Sequence, residues 1–224
     1  MQLSDLEMKI WNHGERLIPG RTHDSGEVRR HKSSYNFFCR VIRYDIKTNK
    51  VKNPKVLDLG FGCGFGCLML ASIPEISIHG IDISEECLEY ASRYYSAANI
   101  SYRVHDINNY VTSNKEFDYI VSRGVLEHIK NGLELINKMK WKKRLMFDVP
   151  YAESPRKNCH HLLCNITEKD FIQWDDIEIF YEDIKGIIYS KSQKPLKPNM
   201  IMGALSANDL PRISMALNFP MAPI

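Results

Sequence analysis

The residues best suited to chemistry are two carboxylates and a run of alternating glycines. In Val56-Leu57-Asp58-Leu59-Gly60-Phe61-Gly62-Cys63-Gly64-Phe65-Gly66, an apolar stretch tipped by an acid passes directly into the glycines. Residues without Cβ bend through positive φ and let a ligand rest on backbone N–H groups, so such a turn is built to hold something. A G-x-G-x-x-G match is shared with dinucleotide sites and is weak alone. Asp58 sharpens it, because an acid at the strand end repels a pyrophosphate and attracts a cation. A second acid, Asp82, ends Ile78-His79-Gly80-Ile81-Asp82, 24 residues after Asp58, where ribose hydroxyls can donate to it. Together they describe a nucleoside carrying positive charge. Three histidines, His128, His160 and His161, follow later strands, and histidine is the side chain most often used as a general base.

These residues need a scaffold that brings strand ends together. Apolar runs at 55–59, 78–82, 100–104, 117–122 and 144–149 alternate with helical patterns, a rhythm that predicts a parallel sheet with helices on both faces. The helix after the glycines is expected from Cys67 to Ile73, stopping at Pro74. The next opens with Ser84-Glu85-Glu86 as cap and acidic first turn, buries Leu88, Ala91, Tyr95 and Ala98, and closes at Asn99. Further helices are expected at 107–111, around Glu127-His128 and at 133–139, and a short one to Trp174 behind the capping pattern Asn165-Ile166-Thr167-Glu168. Strands at 177–181 and 200–205 end the sheet, with a short addition at 186–189. Ahead of the first strand, Tyr35, Phe37, Phe38, Val41 and Ile42 fit an amphipathic helix over 33–44, capped by Ser33 or Ser34. The tail from Asn208 has no clear period and is expected to dock as coil.

The glycine turn and its acids resemble the class I S-adenosylmethionine-dependent methyltransferases, whose first motif is an acid, one residue, then G-x-G-x-G: here Asp58, Gly60, Gly62 and Gly64. The resemblance includes Asp82, His105-Asp106 after the third strand, the strand Phe117 to Ser122, and Val125-Leu126-Glu127-His128-Ile129. It implies a Rossmann-like α/β fold with a seven-stranded, mostly parallel sheet whose last strand is antiparallel. It also implies S-adenosyl-L-methionine as cofactor and S-adenosyl-L-homocysteine as product. The cofactor set it implies is Asp58, Gly60, Gly62, Gly64, Asp82, Ile83, Asp106, Ile107, Ser122 and Arg123, with Asp106 on the adenine amino group or, as its plainer reading, capping the helix after it. Residues 1–50 resemble a helical lid over the methionine end of the cofactor, with Arg30, His31 and Tyr35 as candidate contacts. Residues 51–207 would then be the methyltransferase domain and 208–224 a tail.

Methyl transfer from a sulfonium is an in-line displacement, so the chain must align the acceptor and, for a hydroxyl, remove a proton. His128, His160 and His161 are the candidate bases, each set against a structural role. His160-His161 has no cluster of Asp and Asn beside it to hold a hard cation, so no metal is expected. A weaker resemblance, carried by 14–20, Val149-Pro150-Tyr151 and Asn158-Cys159-His160-His161, is to methyltransferases found with polysaccharide and glycolipid assembly enzymes. It implies a small-molecule acceptor bearing a hydroxyl or amine, a sugar or glycoconjugate first. Asp148-Val149-Pro150-Tyr151 departs from the D/N-P-P-Y/F motif of amino-methylating DNA enzymes at its second position. A nucleic-acid methyltransferase is therefore the alternative, and a non-catalytic cofactor sensor is an alternative of another class.

Composition agrees. A chain of 224 residues with 44% hydrophobic residues can bury a core for one α/β domain, and a net charge of +3 does not call for nucleic acid. Six cysteines without C-x-x-C pairs suggest reduced thiols, the N-terminus lacks the pattern of a signal peptide, and no apolar run is long enough for a membrane span. A cytoplasmic protein is expected.

Overall fold

The computed structural model describes residues 2–12, 14, 16–22, 24–110 and 117–223. The chain runs α1 (Asp5–Asn12), α2 (Ser25–Thr48), β1 (Lys55–Leu59), α3 (Phe65–Leu70), β2 (Ser77–Asp82), α4 (Glu85–Tyr94), β3 (Ile100–Val104), α5 (Ile107–Tyr110), β4 (Tyr119–Arg123), α6 (Gly132–Ile136), β5 (Arg144–Pro150), β6 (Glu178–Asp183), β7 (Ile188–Ser190), β8 (Pro198–Ser206) and α7 (Ile213–Ala216). Short 3₁₀ turns occupy Leu126–His128 and Glu168–Phe171.

Among the described residues eight strands form one sheet in the order β3-β2-β1-β4-β5-β8-β6-β7. β1 to β5 pair in parallel, whereas β8 is antiparallel to both β5 and β6. The expected Rossmann-like sheet is present, with β7 as an eighth strand at the edge. The strand order reverses between β1 and β4, and ligands of open α/β sheets collect outside the carboxyl ends at such a point.

Period-two alternation assigns each strand residue to a face. Val56, Tyr119, Val121, Met146 and Met202 pack with Tyr35, Phe37 and Phe38 of α2 on one side. Leu57, Leu59, Ile120, Phe147 and Ile201 pack with Leu135, Ile136 and Phe171 on the other. Asp58 thereby falls on the α2 face, which decides its partner. On the same face Arg144 is fully buried and grips Asp45 of α2 through Nε at 2.8 Å and Nη2 at 3.0 Å, while the Tyr119 hydroxyl donates to the same carboxylate at 3.1 Å.

Several boundaries differ from the sequence pattern. α2 starts at Ser25, not Ser33: Asp24 caps it by accepting the Glu27 N–H at 2.7 Å, and Ser33 and Ser34 are buried inside it. The polar first two turns hid that start. α3 starts two residues early, at Phe65, because Gly64 in the left-handed region can act as its cap. α4 ends at Tyr94 instead of Asn99, and Glu127-His128 sit on a 3₁₀ turn instead of an α-helix. α1 was not expected. The tail is not wholly coil: Glu178 accepts the Ile213 and Ser214 N–H groups at 2.6 and 2.9 Å and so organises α7. Val111, the expected end of the helix opening at Ile107, and Glu15 of the 14–20 stretch lie outside the described residues. No helix among the described residues is long and apolar enough to cross a membrane.

Candidate active site

The turn after β1 is the floor of the site. Gly60, Gly62 and Gly64 all have positive φ, +72°, +54° and +89°, a region costly for other L residues. A Cβ at Gly60 would come within 2.4 Å of Val125, whereas one at Gly62 would meet nothing within 4 Å. Gly62 therefore faces open space that a ligand can enter. Its N–H donates to Asp82 Oδ2 at 2.9 Å, and the Ser84 N–H donates to Asp82 Oδ1 at 3.0 Å. Arg16 adds an ion pair to Oδ1 at 3.4 Å. Asp82 is thus held rigidly at the carboxyl end of β2.

Asp58 is fully buried and does not line the cavity. Both of its oxygens accept the Tyr35 hydroxyl at 3.1 Å, and Oδ2 accepts the Cys67 thiol at 3.1 Å. Burial raises its pKa to about 7 against those two bonds. The Tyr35 ring, not the acid, faces the cavity, and it fits only because Gly66 has no side chain: a Cβ there would stand 1.8 Å from the ring. Gly64 likewise serves packing, against Ala91 and Tyr102.

One cavity of about 510 Å³ joins these groups, within the range that holds a drug-sized ligand. Gly60, Gly62, Asp82, Ile83, Asp106 and Ile107 line it, and so do His31 and Tyr35 of α2. Ile83 is 66% exposed, an apolar side chain on the cavity wall. Asp106 accepts the Asn108 backbone N–H at 2.9 Å, so it caps α5, and it also borders the cavity. Arg30 is not a lining residue; it pairs with Glu27 and donates to the Ile184 carbonyl.

Ser122 is buried outside the lining, since alternation turns it to the opposite face from Arg123. Arg123 does line the cavity, with its guanidinium held by Asp148 at 3.2 Å and by Glu182 at 3.9 Å. Those acids keep its pKa above the usual arginine value although burial opposes this.

His128 and His160 line the cavity, and His161 does not. His128 Nδ1 lies 3.0 Å from the His160 carbonyl. His161 turns its Nδ1 to the Glu153 carboxylate. The three histidines are therefore near one another but differently employed. Glu127, the quoted partner of His128, is 2% exposed, and burial pushes its pKa up to about 8. Sequence neighbours gave no metal cluster, yet folding brings one ligand atom each of Glu127, His128 and His161 within 4.8 Å of one another. Sequence reasoning also missed Arg16 and Leu17, which line the cavity from the 14–20 stretch. An arginine beside a Pro-Gly turn was the signal available.

Residues 56–140 match the family described as "Methyltransferase domain". The matched stretch carries the sequence of a methyltransferase domain. Among curated proteins, this methyltransferase domain is 35% identical over 101 residues to the phosphoethanolamine N-methyltransferase of Plasmodium falciparum, a stretch of 45% of this chain and 36% of the relative. The chain spans only about a third of the curated relatives it matches first. Among solved structures, the plantazolicin methyltransferase BpumL, in complex with a triazolic desmethylPZN analog and SAH, has a TM-score of 0.60 at 16% identity, covering 91% of this chain and 90% of that one. The N-methyltransferase NodS of Bradyrhizobium japonicum WM9, in complex with S-adenosyl-L-homocysteine, has a TM-score of 0.56 at 15% identity, covering 92% of this chain and all of that one. The residues of this site fit S-adenosyl-L-methionine, the cofactor that the sequence resemblance implies. Gly62 leaves space that a Cβ would fill, Asp82 is positioned for ribose hydroxyls, and Ile83 and Ile107 give the base an apolar wall.

Proposed function

We propose that this chain transfers the methyl group of S-adenosyl-L-methionine to a hydroxyl or amine of a small molecule, with a sugar or glycoconjugate as the first candidate. The observation that carries the proposal is that one cavity is lined both by Asp82 and by His128 and His160. In the reaction the acceptor lone pair forms the bond to the methyl carbon, and the carbon–sulfur bond breaks with its pair left on sulfur. The acceptor's proton leaves to a base or to water. The sulfonium becomes a thioether, S-adenosyl-L-homocysteine. His160 and His128 are the base candidates by position; His161, held on Glu153, acts through its neighbours.

In this reading Asp82 takes the ribose, Asp106 the adenine, and Gly60 and Gly62 the backbone approach, while His31, Tyr35 and Arg16 cover the methionine end. Asp58 works through Tyr35. Residues 1–50 form the cap, 51–207 the catalytic domain and 208–224 a tail packed on β6. The weaker resemblance to glycan-associated methyltransferases supports a sugar hydroxyl. The phosphoethanolamine and NodS enzymes, both named N-methyltransferases, support an amine instead. The free cysteines suit the cytoplasm. Release of S-adenosyl-L-homocysteine should be measured against sugars, phosphoethanolamine and oligonucleotides. Turnover on sugars supports the proposal, and turnover on oligonucleotides alone favours the nucleic-acid alternative. Binding without turnover on any acceptor makes the chain a sensor.

A further inference from the structure

Glu127, His128 and His161 reach one place from two segments. The turn Leu126–His128 brings the first two, and the loop after β5 returns the third. That loop is fixed in place: the Leu162 and Leu163 N–H groups both donate to the Glu127 carbonyl, at 2.8 and 3.0 Å. The rings of His128 and His161 meet edge to face with centroids 4.8 Å apart. Ligands of a tetrahedral ion with bonds of about 2.1 Å stand roughly 3.4 Å apart. Ligand atoms already within 4.8 Å of one another need only side-chain rotation to close on such an ion.

Two further observations point to a cation. Each imidazole holds its Nδ1 against an acceptor, His128 on the His160 carbonyl and His161 on the Glu153 carboxylate. Metal-binding histidines are oriented in this way, with the outer nitrogen on a carbonyl or carboxylate and Nε2 left as the ligand. The Asn158 amide nitrogen lies 3.2 Å from His161 Nε2, a contact that an ion would displace. Glu127 is buried, and its Oε2 meets no hydrogen-bond donor among the described residues. A carboxylate in that position is costly unless a positive charge meets it.

We propose that Glu127, His128 and His161 bind a divalent first-row transition ion at the rim of the cavity, with an open coordination position for the acceptor oxygen. Two imidazoles and one carboxylate suit zinc, iron(II) or cobalt(II), whereas magnesium and calcium prefer oxygen donors throughout. The role toward the acceptor rests on the methyltransferase reading; the ion site itself does not. A metal-bound hydroxyl loses its proton more readily. The ion would therefore favour oxygen methylation, with the released proton passing to water and the alkoxide pair forming the bond to carbon.

The test is titration of the chelator-stripped chain with cobalt(II), followed by visible d–d absorption, with zinc and magnesium as competitors. One saturable equivalent, displaced by zinc and not by magnesium, is expected. Glu153→Gln should weaken cobalt by roughly 10-fold, and Glu127→Gln and His161→Ala by more, as outer and inner ligands differ. S-adenosylhomocysteine affinity in the same variants, measured by calorimetry, should stay near native and serves as the check of folding. No saturable cobalt binding, or undiminished binding in Glu127→Gln, overturns the site. Cobalt binding with turnover on a hydroxyl acceptor that is indifferent to metal removal overturns its role in the reaction. Cobalt binding without any S-adenosylhomocysteine binding supports the ion site while refuting the methyltransferase reading.

Discussion

Alanine at Gly62 and at Gly60 should do damage of different kinds, although the two glycines are neighbours in one turn. At Gly62 the backbone has φ +54° and a new Cβ meets nothing within 4 Å. The left-handed conformation costs an alanine about 1–2 kcal/mol. For a chain of this size that lowers Tm by roughly 2–8 °C. The added methyl stands where the ligand must approach the Gly62–Asp82 pair, and overpacking of about 1–3 kcal/mol there corresponds to a roughly 5- to 150-fold rise in Kd. At Gly60 the backbone cost is similar, but the Cβ is driven to within 2.4 Å of Val125. Stability should then fall by roughly 2–5 kcal/mol. Thermal unfolding and calorimetric titration with S-adenosylhomocysteine on both variants give the comparison. Gly62→Ala should lose affinity out of proportion to Tm, and Gly60→Ala should lose Tm first. A folded Gly62→Ala chain that titrates like the native one would refute the placement of the ligand against this turn.

Other substitutions test other parts of the account. Asp58 titrates at about 7 in the fold against 3.8 as its ordinary value. Between these values the native chain holds the proton and the unfolded chain does not, so stability falls as pH rises through that window, by up to roughly 4 kcal/mol. Urea midpoints from pH 4 to 8 should show the slope, and Asp58→Asn should flatten it. Asp45→Ala leaves Arg144 buried without its carboxylate and should destabilise the chain by about 3–5 kcal/mol, read by urea unfolding; a loss below ~1 kcal/mol would mean the pair is dispensable. His160→Ala should lower turnover on the identified acceptor more than it lowers S-adenosylhomocysteine affinity, and an unchanged rate would remove this ring from the mechanism.

The part of the fold that sequence made legible is the part where local chemistry and tertiary position agree. The strand Lys55–Leu59, the glycine turn, Ser84 as a cap and Asp82 at its strand end are each dictated by residues within a few positions. The setting of Asp58 was not legible because its partner lies elsewhere in the chain: period-two alternation puts it beneath Tyr35 of α2, which its own neighbours could not reveal. Ser122 and Arg123 end one strand, but adjacent strand residues face opposite sides, so only Arg123 reaches the cavity. The polar start of α2 obscured a helix that packs on the sheet chiefly through its later turns. The convergence of Glu127 and His128 with His161 depends on a loop folding back through two backbone hydrogen bonds, and no spacing in the sequence encodes that.

The central claim is that the Gly62–Asp82 corner seats a sulfonium nucleoside. Calorimetric titration of the native chain with S-adenosylhomocysteine, with NAD in parallel and Asp82→Ala as control, tests it most directly. The account predicts one saturable site for S-adenosylhomocysteine, none for NAD, and loss of the site in Asp82→Ala. Binding of NAD instead, or undiminished S-adenosylhomocysteine binding without the Asp82 carboxylate, would contradict it.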